Sequence, residues 1–379
     1  MPLIAAGTVV LEQGVCRPGW VHTAGRAIVG CAAGTPPASP DVDLPDAVLV
    51  PGFVDIHAHG GGGATYLVGD ESDTLRAATF HRRHGTTATL ASLVTASPAG
   101  LLSAVHGLAG ATHDGVIAGI HLEGPWLSTE HCGAHDRAQM RDATTAEIDA
   151  LLTAGDGAIK MVTLAPERPG SDDAITRLVD AGVVVAVGHS DATYEQTRHA
   201  IELGATVGTH LFNAMRPLHH REPGPALALL EDPRVTVELI ADGVHLHPAV
   251  LHATVRAAGA DRVALVTDAI AAAGADDGDY QLGVVPVEVA EGVARVRGTS
   301  TIAGSTATME QLFGVAAGLG SDRDAALITA VRLTSTTPAR TLGIDGGNLR
   351  VGTDANLVVL NQDLTVHAVM AGGSWVSGH

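Results

Sequence analysis

Between residues 52 and 269 the chain repeats one pattern eight times: a short apolar, β-branched run, then a stretch with helical periodicity. The runs cover 52–59, 86–95, 115–124, 159–167, 183–190, 206–213, 235–245 and 263–269. Near-continuous apolar runs of this length suit strands buried on both faces, the environment of a parallel sheet. Several intervening stretches carry helix punctuation. Thr144-Thr-Ala-Glu147 reads as a capping box, with Gly155 as the stop. SDDAITRLVDAG fits a helix that Gly182 ends, and His247-Pro248 opens another that ends at Gly259. Eight such units point to a closed barrel more than to an open doubly wound sheet.

The two ends of the chain read differently. Residues 1–51 and 345–379 are short strand-like runs broken by Gly and Pro, with no helical period. The expected fold is therefore α/β: a (β/α)8 TIM-like barrel over 52–344, with a small β-sandwich domain formed by both termini, 1–51 plus 345–379.

Charge and cysteine usage narrow the function. A net charge of −19 gives no counterion release on an anionic polymer or surface, which excludes nucleic acid and membrane as partners. A small anionic substrate needs only a local basic pocket and stays open. Cys16, Cys31 and Cys132 form no CxxC pair, and Met1-Pro-Leu-Ile opens no secretory leader. The expected compartment is the reducing cytoplasm.

The polar residues cluster where a barrel enzyme needs them, at the C-terminal ends of the runs. The first ends Asp55-Ile-His57-Ala-His59, the third His121-Leu-Glu123-Gly-Pro125, and the fifth Gly188-His189-Ser190. The sixth ends Thr209-His210-Leu-Phe-Asn213, the seventh Asp242-Gly-Val-His245, and the eighth Thr267-Asp268-Ala269. Strand alternation places His57 and His59 on one face, within reach of one ion. One buried histidine is more often simply hydrogen-bonded. Six strand ends carrying His, Glu or Asp among apolar strands are costly burial without a purpose, and a metal supplies one.

The motifs PGFVDIHAHG, HLEGPW, GAHD, VGHSDA, GTHLFNAM, REPG, ADGVHLHP, LVTDA and IAGSTATM resemble the amidohydrolase superfamily and, within it, the N-acetylglucosamine-6-phosphate deacetylases. The resemblance implies metal-dependent removal of an N-acetyl group from an amino-sugar phosphate, in amino-sugar catabolism and cell-wall recycling. It implies one or two divalent ions per subunit, zinc or iron. Glu123, His189 and His210 match the family's main metal site, and His57 and His59 the superfamily's second. Asp268 matches the catalytic acid/base, and His245 the residue that polarises the acetamide carbonyl. Ala134, Asn213, Ala214, Arg221, Asp242, Gly243, Val244, His245, Ile302, Ala303 and Gly304 fall where the family contacts the sugar phosphate, with His135 a further candidate. The family implies a homodimer in which Arg221 reaches the neighbouring site.

Many superfamily members bridge two metals with a carboxylated lysine. Lys160, the only lysine, lies at the start of the fourth run, away from the mouth, so Glu123 is left as the bridging candidate. Cys132, in STEHCGAHD, reads as an incidental thiol, with a lid residue as the alternative. Another amidohydrolase chemistry (base deamination or aminoacylase action) and a non-catalytic barrel scaffold remain the competing readings.

Overall fold

The structure, a computed structural model, describes residues 2–377. Eight strands lie in sequence order in one parallel sheet: β1 (Phe53–Ala58), β2 (Thr86–Leu93), β3 (Gly119–Glu123), β4 (Ile159–Leu164), β5 (Val184–Val187), β6 (Ala205–Gly208), β7 (Thr236–Leu239) and β8 (Val263–Leu265). The sheet closes just beyond its first and last strands, where Ala58 and Ala269 form a parallel bridge. Two backbone bonds secure that seam, Asp268 N–H to His57 O and His59 N–H to Ala269 O, both 2.8 Å.

Each strand is followed by a helix, as the alternation predicts: Glu71–Arg83, Pro98–His113, Thr145–Gly155, Ser171–Asp180, Tyr194–Leu203, Gly224–Glu231, Pro248–Ala258 and, after a longer excursion, Met309–Ala317. Ser97 Oγ accepts from Gly100 N–H, and Thr193 and Thr308 close reciprocal capping boxes with Gln196 and Gln311. The box expected at Thr144 is only half made. Thr144 accepts from Glu147 N–H, but the Glu147 carboxylate is taken by Arg141 and the Trp126 indole. Gly155 is the last helical residue, and Asp156 takes the left-handed stop at φ 45°. Gly155 is needed for packing instead, since a Cβ there would lie 2.9 Å from Ile159 Cγ1.

The strands are shorter than the apolar runs. The fifth run continues to residue 190, yet β5 stops at Val187; the sixth continues to 213, yet β6 stops at Gly208. The residues beyond leave the sheet because their backbones turn left-handed: His189 at φ 47°, His210 at 27° and Asp268 at 49°. This conformation is uncommon for residues other than glycine and collects at functional sites. An antiparallel three-stranded sheet, Gly278–Leu282, Val285–Ala290 and Val293–Val296, fills the excursion after β8 and was not anticipated.

The chain divides into two compact units: Ile56–Ala78 with Thr89–Ala307, and the chain up to Asp55 with Thr79–Ala88 and the chain from Thr308 onward. The latter unit holds an eight-stranded sheet with strands from both ends of the described chain, Leu3–Leu11 and Ser374–Ser377 among them. Leu3–Leu11 pairs in parallel with Val42–Pro51, which pairs antiparallel with Leu357–Leu360. Alternate residues Ile4, Ala6, Leu357 and Val359 join Leu49, Ile28 and Met370 in its core. We propose the domain division at 51/52 and 344/345 from element order, because Met309–Ala317 follows β8 where the eighth barrel helix belongs.

Gly188 sits where β5 gives way to the site. A Cβ there would fall 2.7 Å from Thr209 Cβ and 2.9 Å from Thr163 Cγ2. Gly188→Ala should therefore destabilise the barrel by about 1–3 kcal/mol through overpacking. Urea unfolding checks this, and an unchanged midpoint would contradict the packing described.

Candidate metal centre and active site

Glu123, the last residue of β3, is the hub of the site. Its carboxylate is buried and meets five imidazoles. Oε1 lies 3.0 Å from His189 Nε2 and 2.9 Å from His210 Nε2. Oε2 lies 3.5 Å from His57 Nε2, 3.2 Å from His59 Nε2 and 3.2 Å from His135 Nε2. Asp268 Oδ1 stands 3.1 Å from His59 Nε2 and 3.5 Å from His57 Nε2. Donor atoms thus fall into two groups, His57–His59–Glu123 and Glu123–His189–His210, each within 4.8 Å and sharing the one carboxylate.

Hydrogen bonds at the far nitrogens decide what these rings offer. His189 Nδ1 faces the His131 carbonyl at 2.9 Å, His59 Nδ1 the Ser92 carbonyl at 3.0 Å, and His57 Nδ1 the Glu238 carboxylate at 3.1 Å. Oxygens of these kinds only accept, so each Nδ1 carries a proton, and in the neutral ring that metal binding requires each Nε2 turns a lone pair inward. The His189 lone pair then points at Glu123 Oε1 and at His210 Nε2, 3.0 Å away. A neutral His189 ring facing the Glu123 oxygen at this distance repels it unless a proton or a cation lies between them. The donor set, neutral imidazoles with a carboxylate and outer hydrogen bonds, suits a divalent ion.

His135 has the opposite tautomer. Its Nδ1 accepts from Thr95 N–H at 3.1 Å, so Nε2–H donates to Glu123. It steadies the hub carboxylate rather than offering a lone pair.

A profile described as "Amidohydrolase family" matches residues 48–376. The chain belongs to the amidohydrolase family. It is 37% identical to an N-acetylglucosamine-6-phosphate deacetylase of Vibrio furnissii, over 87% of this chain and 82% of that one. It is 36% identical to an N-acetylgalactosamine-6-phosphate deacetylase of Escherichia coli O157:H7, over 93% of both. Among solved structures it is similar to an aspartate-to-alanine mutant of the Mycobacterium smegmatis N-acetyl-D-glucosamine-6-phosphate deacetylase in complex with N-acetyl-D-glucosamine 6-phosphate. That match has a TM-score of 0.98 and 54% identity over 99% of both chains.

In this amidohydrolase-family barrel the hub forms the floor of a cavity of about 380 Å³. Ala134, His135, Asn213, Ala214, His245, Ile302 and Gly304 line it together with His59, Glu123, His189, His210 and Asp268. The other expected contacts fall outside that lining. Ala303 is buried with Ile270 and Leu282 in an apolar cluster. Asp242 is committed to its own loop: Oδ1 accepts from Val244 N–H and His245 N–H, and Oδ2 lies 2.7 Å from His245 Nδ1. Gly243 and Val244 form that turn, with Val244 exposed. Arg221 stands at the exposed tip of a turn closed by His219 and Glu222, its guanidinium 2.7 Å from His220 Nε2. Cys132 accepts from Arg137 Nε at 3.0 Å, between the wall residues His131 and Gly133.

Lys160 Nζ turns back to the Gly157 carbonyl at 2.9 Å, before β4 begins. His121 bonds Ser92 Oγ and Thr163 Oγ1 at 2.9 and 2.8 Å inside the barrel, a buried histidine in a hydrogen-bonded belt. Sequence reading missed Glu130, His131, Ile240, Leu282, Ser300 and Thr301 in the wall, and Glu238 behind His57. Only Glu238 carried a signal, a carboxylate inside an otherwise apolar run.

Burial opposes charging His57 and His59, yet the neighbouring carboxylates Glu123 and Asp268 outweigh it. His57 is raised well above its ordinary value and His59 to about 9. Burial likewise works against ionising Glu123, but His57, His135 and His189 hold its carboxyl well below the usual range. Burial drives His135 down to about 4, keeping it neutral. In chelator-stripped protein the His59 value of about 9 exceeds its ordinary 6.5. Its protonation then stabilises the fold fully below pH 6.5, and this contribution fades as pH climbs to 9. The urea midpoint of stripped protein should accordingly fall across that window, and less steeply in His59→Gln. A midpoint that rises would contradict the proposed charge balance.

Proposed function

We propose that this chain hydrolyses the N-acetyl group of N-acetyl-D-glucosamine 6-phosphate to give D-glucosamine 6-phosphate and acetate. The observation that carries the reading is 54% identity over 99% of a deacetylase structure that holds this sugar phosphate. The cavity supports it, with two donor groups on its floor and a carboxylate and an imidazole above them. Similarity to a deacetylase of the galactose epimer favours a second reading, in which both epimers are processed.

His57 and His59 would hold one ion and His189 and His210 another, with Glu123 common to both donor groups. Imidazole and carboxylate donors favour zinc, with iron the alternative. A divalent ion bound by these residues would supply Lewis acidity toward the acyl oxygen and would bring the pKa of water toward ~7. Asp268 takes the proton of the attacking water as its oxygen bonds the acyl carbon. It then returns the proton to the amine nitrogen as the C–N bond breaks. His245 donates to the acyl oxygen. Asp242 Oδ2, 2.7 Å from Nδ1, orients the ring for that contact. His135, Asn213, Ala214, Ile302 and Gly304 meet the sugar, and Cys132 lies on the loop that covers it. The working compartment is the cytoplasm; no described helix is long and apolar enough to cross a membrane.

Acetate release with and without the 6-phosphate tests the substrate. N-acetylglucosamine lacking the phosphate should show a much lower kcat/KM, and equal efficiency on both sugars would remove the phosphosugar assignment. Asp268→Asn should keep its metal and lower kcat by ~10²–10⁴, because an amide relays no proton. Near wild-type turnover would exclude Asp268 from the proton path.

We also propose a homodimer in which the Arg221 guanidinium grips the phosphate in the neighbouring site, a reading that the exposure of its turn allows. Mixing inactive Arg221→Ala and Asp268→Asn subunits should restore about a quarter of wild-type activity, since half the dimers then contain one intact site. Native mass spectrometry verifies exchange. Exchange without recovery would show that Arg221 acts within its own subunit.

A further inference from the structure

Glu238 lies in β7 with its side chain fully buried. One oxygen, Oε2, accepts two hydrogen bonds: from His57 Nδ1–H at 3.1 Å and from the His210 backbone N–H at 3.2 Å. His57 belongs to one donor group and His210 to the other. The two rings stack with centroids 5.6 Å apart. The Glu238 backbone carbonyl also accepts from Leu211 N–H at 2.9 Å, fastening the residue after His210 to the same strand position. The second oxygen, Oε1, has no hydrogen-bond partner among the described residues.

We infer that Glu238 is a positioning residue that sets the spacing between the two metal ligand groups and the basicity of His57. This rests on the metal reading given above. The argument is geometric. His210 takes the uncommon φ of 27°, and a backbone bent that way needs its N–H anchored to aim Nε2 at the hub. Glu238 Oε2 is that anchor, and the same atom fixes the tautomer of His57, so neither ligand can shift without the other. The charge has its own role. A buried carboxylate is costly among neutral groups, and hydrogen-bonded to the outer nitrogen of a ligand it strengthens that ligand's donor atom.

Two variants separate the bonds from the charge. Glu238→Gln keeps an oxygen at the Oε2 position and removes the charge. Glu238→Met fills the space with neither acceptor. Folding is verified by circular dichroism and urea unfolding. Zinc per chain is then measured by elemental analysis after dialysis against a series of buffered free-zinc concentrations. In Glu238→Gln one ion should dissociate at the wild-type concentration, and the other at about 10- to 100-fold higher free zinc. In folded Glu238→Met both should weaken. If Glu238→Met does not fold, Glu238→Gln alone decides. A Glu238→Gln protein that releases both ions at wild-type concentrations overturns the inference and leaves the metal reading intact. A wild-type protein that binds fewer than two ions overturns both.

Discussion

A buried carboxylate surrounded by imidazoles is the constraint on which this barrel depends. Glu123 cannot stay charged in an apolar interior unless positive or donating groups meet it. Five histidines do so, from β1, the loop after β3, and the ends of β5 and β6. Four of the rings are held in turn, His59 and His189 by the Ser92 and His131 carbonyls, His135 by the Thr95 amide and His57 by the Glu238 carboxylate, which also accepts from the His210 backbone N–H. The arrangement therefore extends into the strands themselves. It explains polar residues inside the barrel that apolar packing alone would not place there.

The belt beneath the hub follows the same logic. Ala58 N–H reaches Ser92 Oγ, Ser92 meets His121, His121 meets Thr163, and Thr163 meets Thr209. Each of these polar groups has a partner within the belt, so the belt satisfies its own hydrogen bonds. Gly188 completes the fit by leaving room for the Thr163 and Thr209 side chains.

Much of this was legible in the residues. The eight runs exposed the barrel, because strands buried on both faces need unbroken apolar sequence. The strand-end His, Glu and Asp exposed the hub, because such residues are rare in that setting. Where the strands stop was not legible: the left-handed turns at His189, His210 and Asp268 answer to tertiary contacts, not to local preference. The commitment of Glu147 to Arg141, and of Asp242 to His245, depends on side chains that meet only after folding. The cavity wall from Leu282, Ser300 and Thr301 was hidden because it comes from an excursion outside the repeating pattern. His121 looked like His57 in sequence, and only its Ser92 and Thr163 partners distinguish a belt residue from a ligand.

The seam between the first and last barrel strands links folding to chemistry. His57 and Asp268 are joined across that seam by a backbone hydrogen bond, with 210 residues between the bonded pair. Every residue of the two donor groups lies at or before His210 in the chain. As the chain leaves the ribosome, the residues of both donor groups therefore emerge well before Asp268, the proton carrier proposed above. Only closure of the barrel brings Asp268 to the HxH strand. On the proposed mechanism, an unclosed barrel would lack its proton carrier, and the last pairing in the sheet would complete the site.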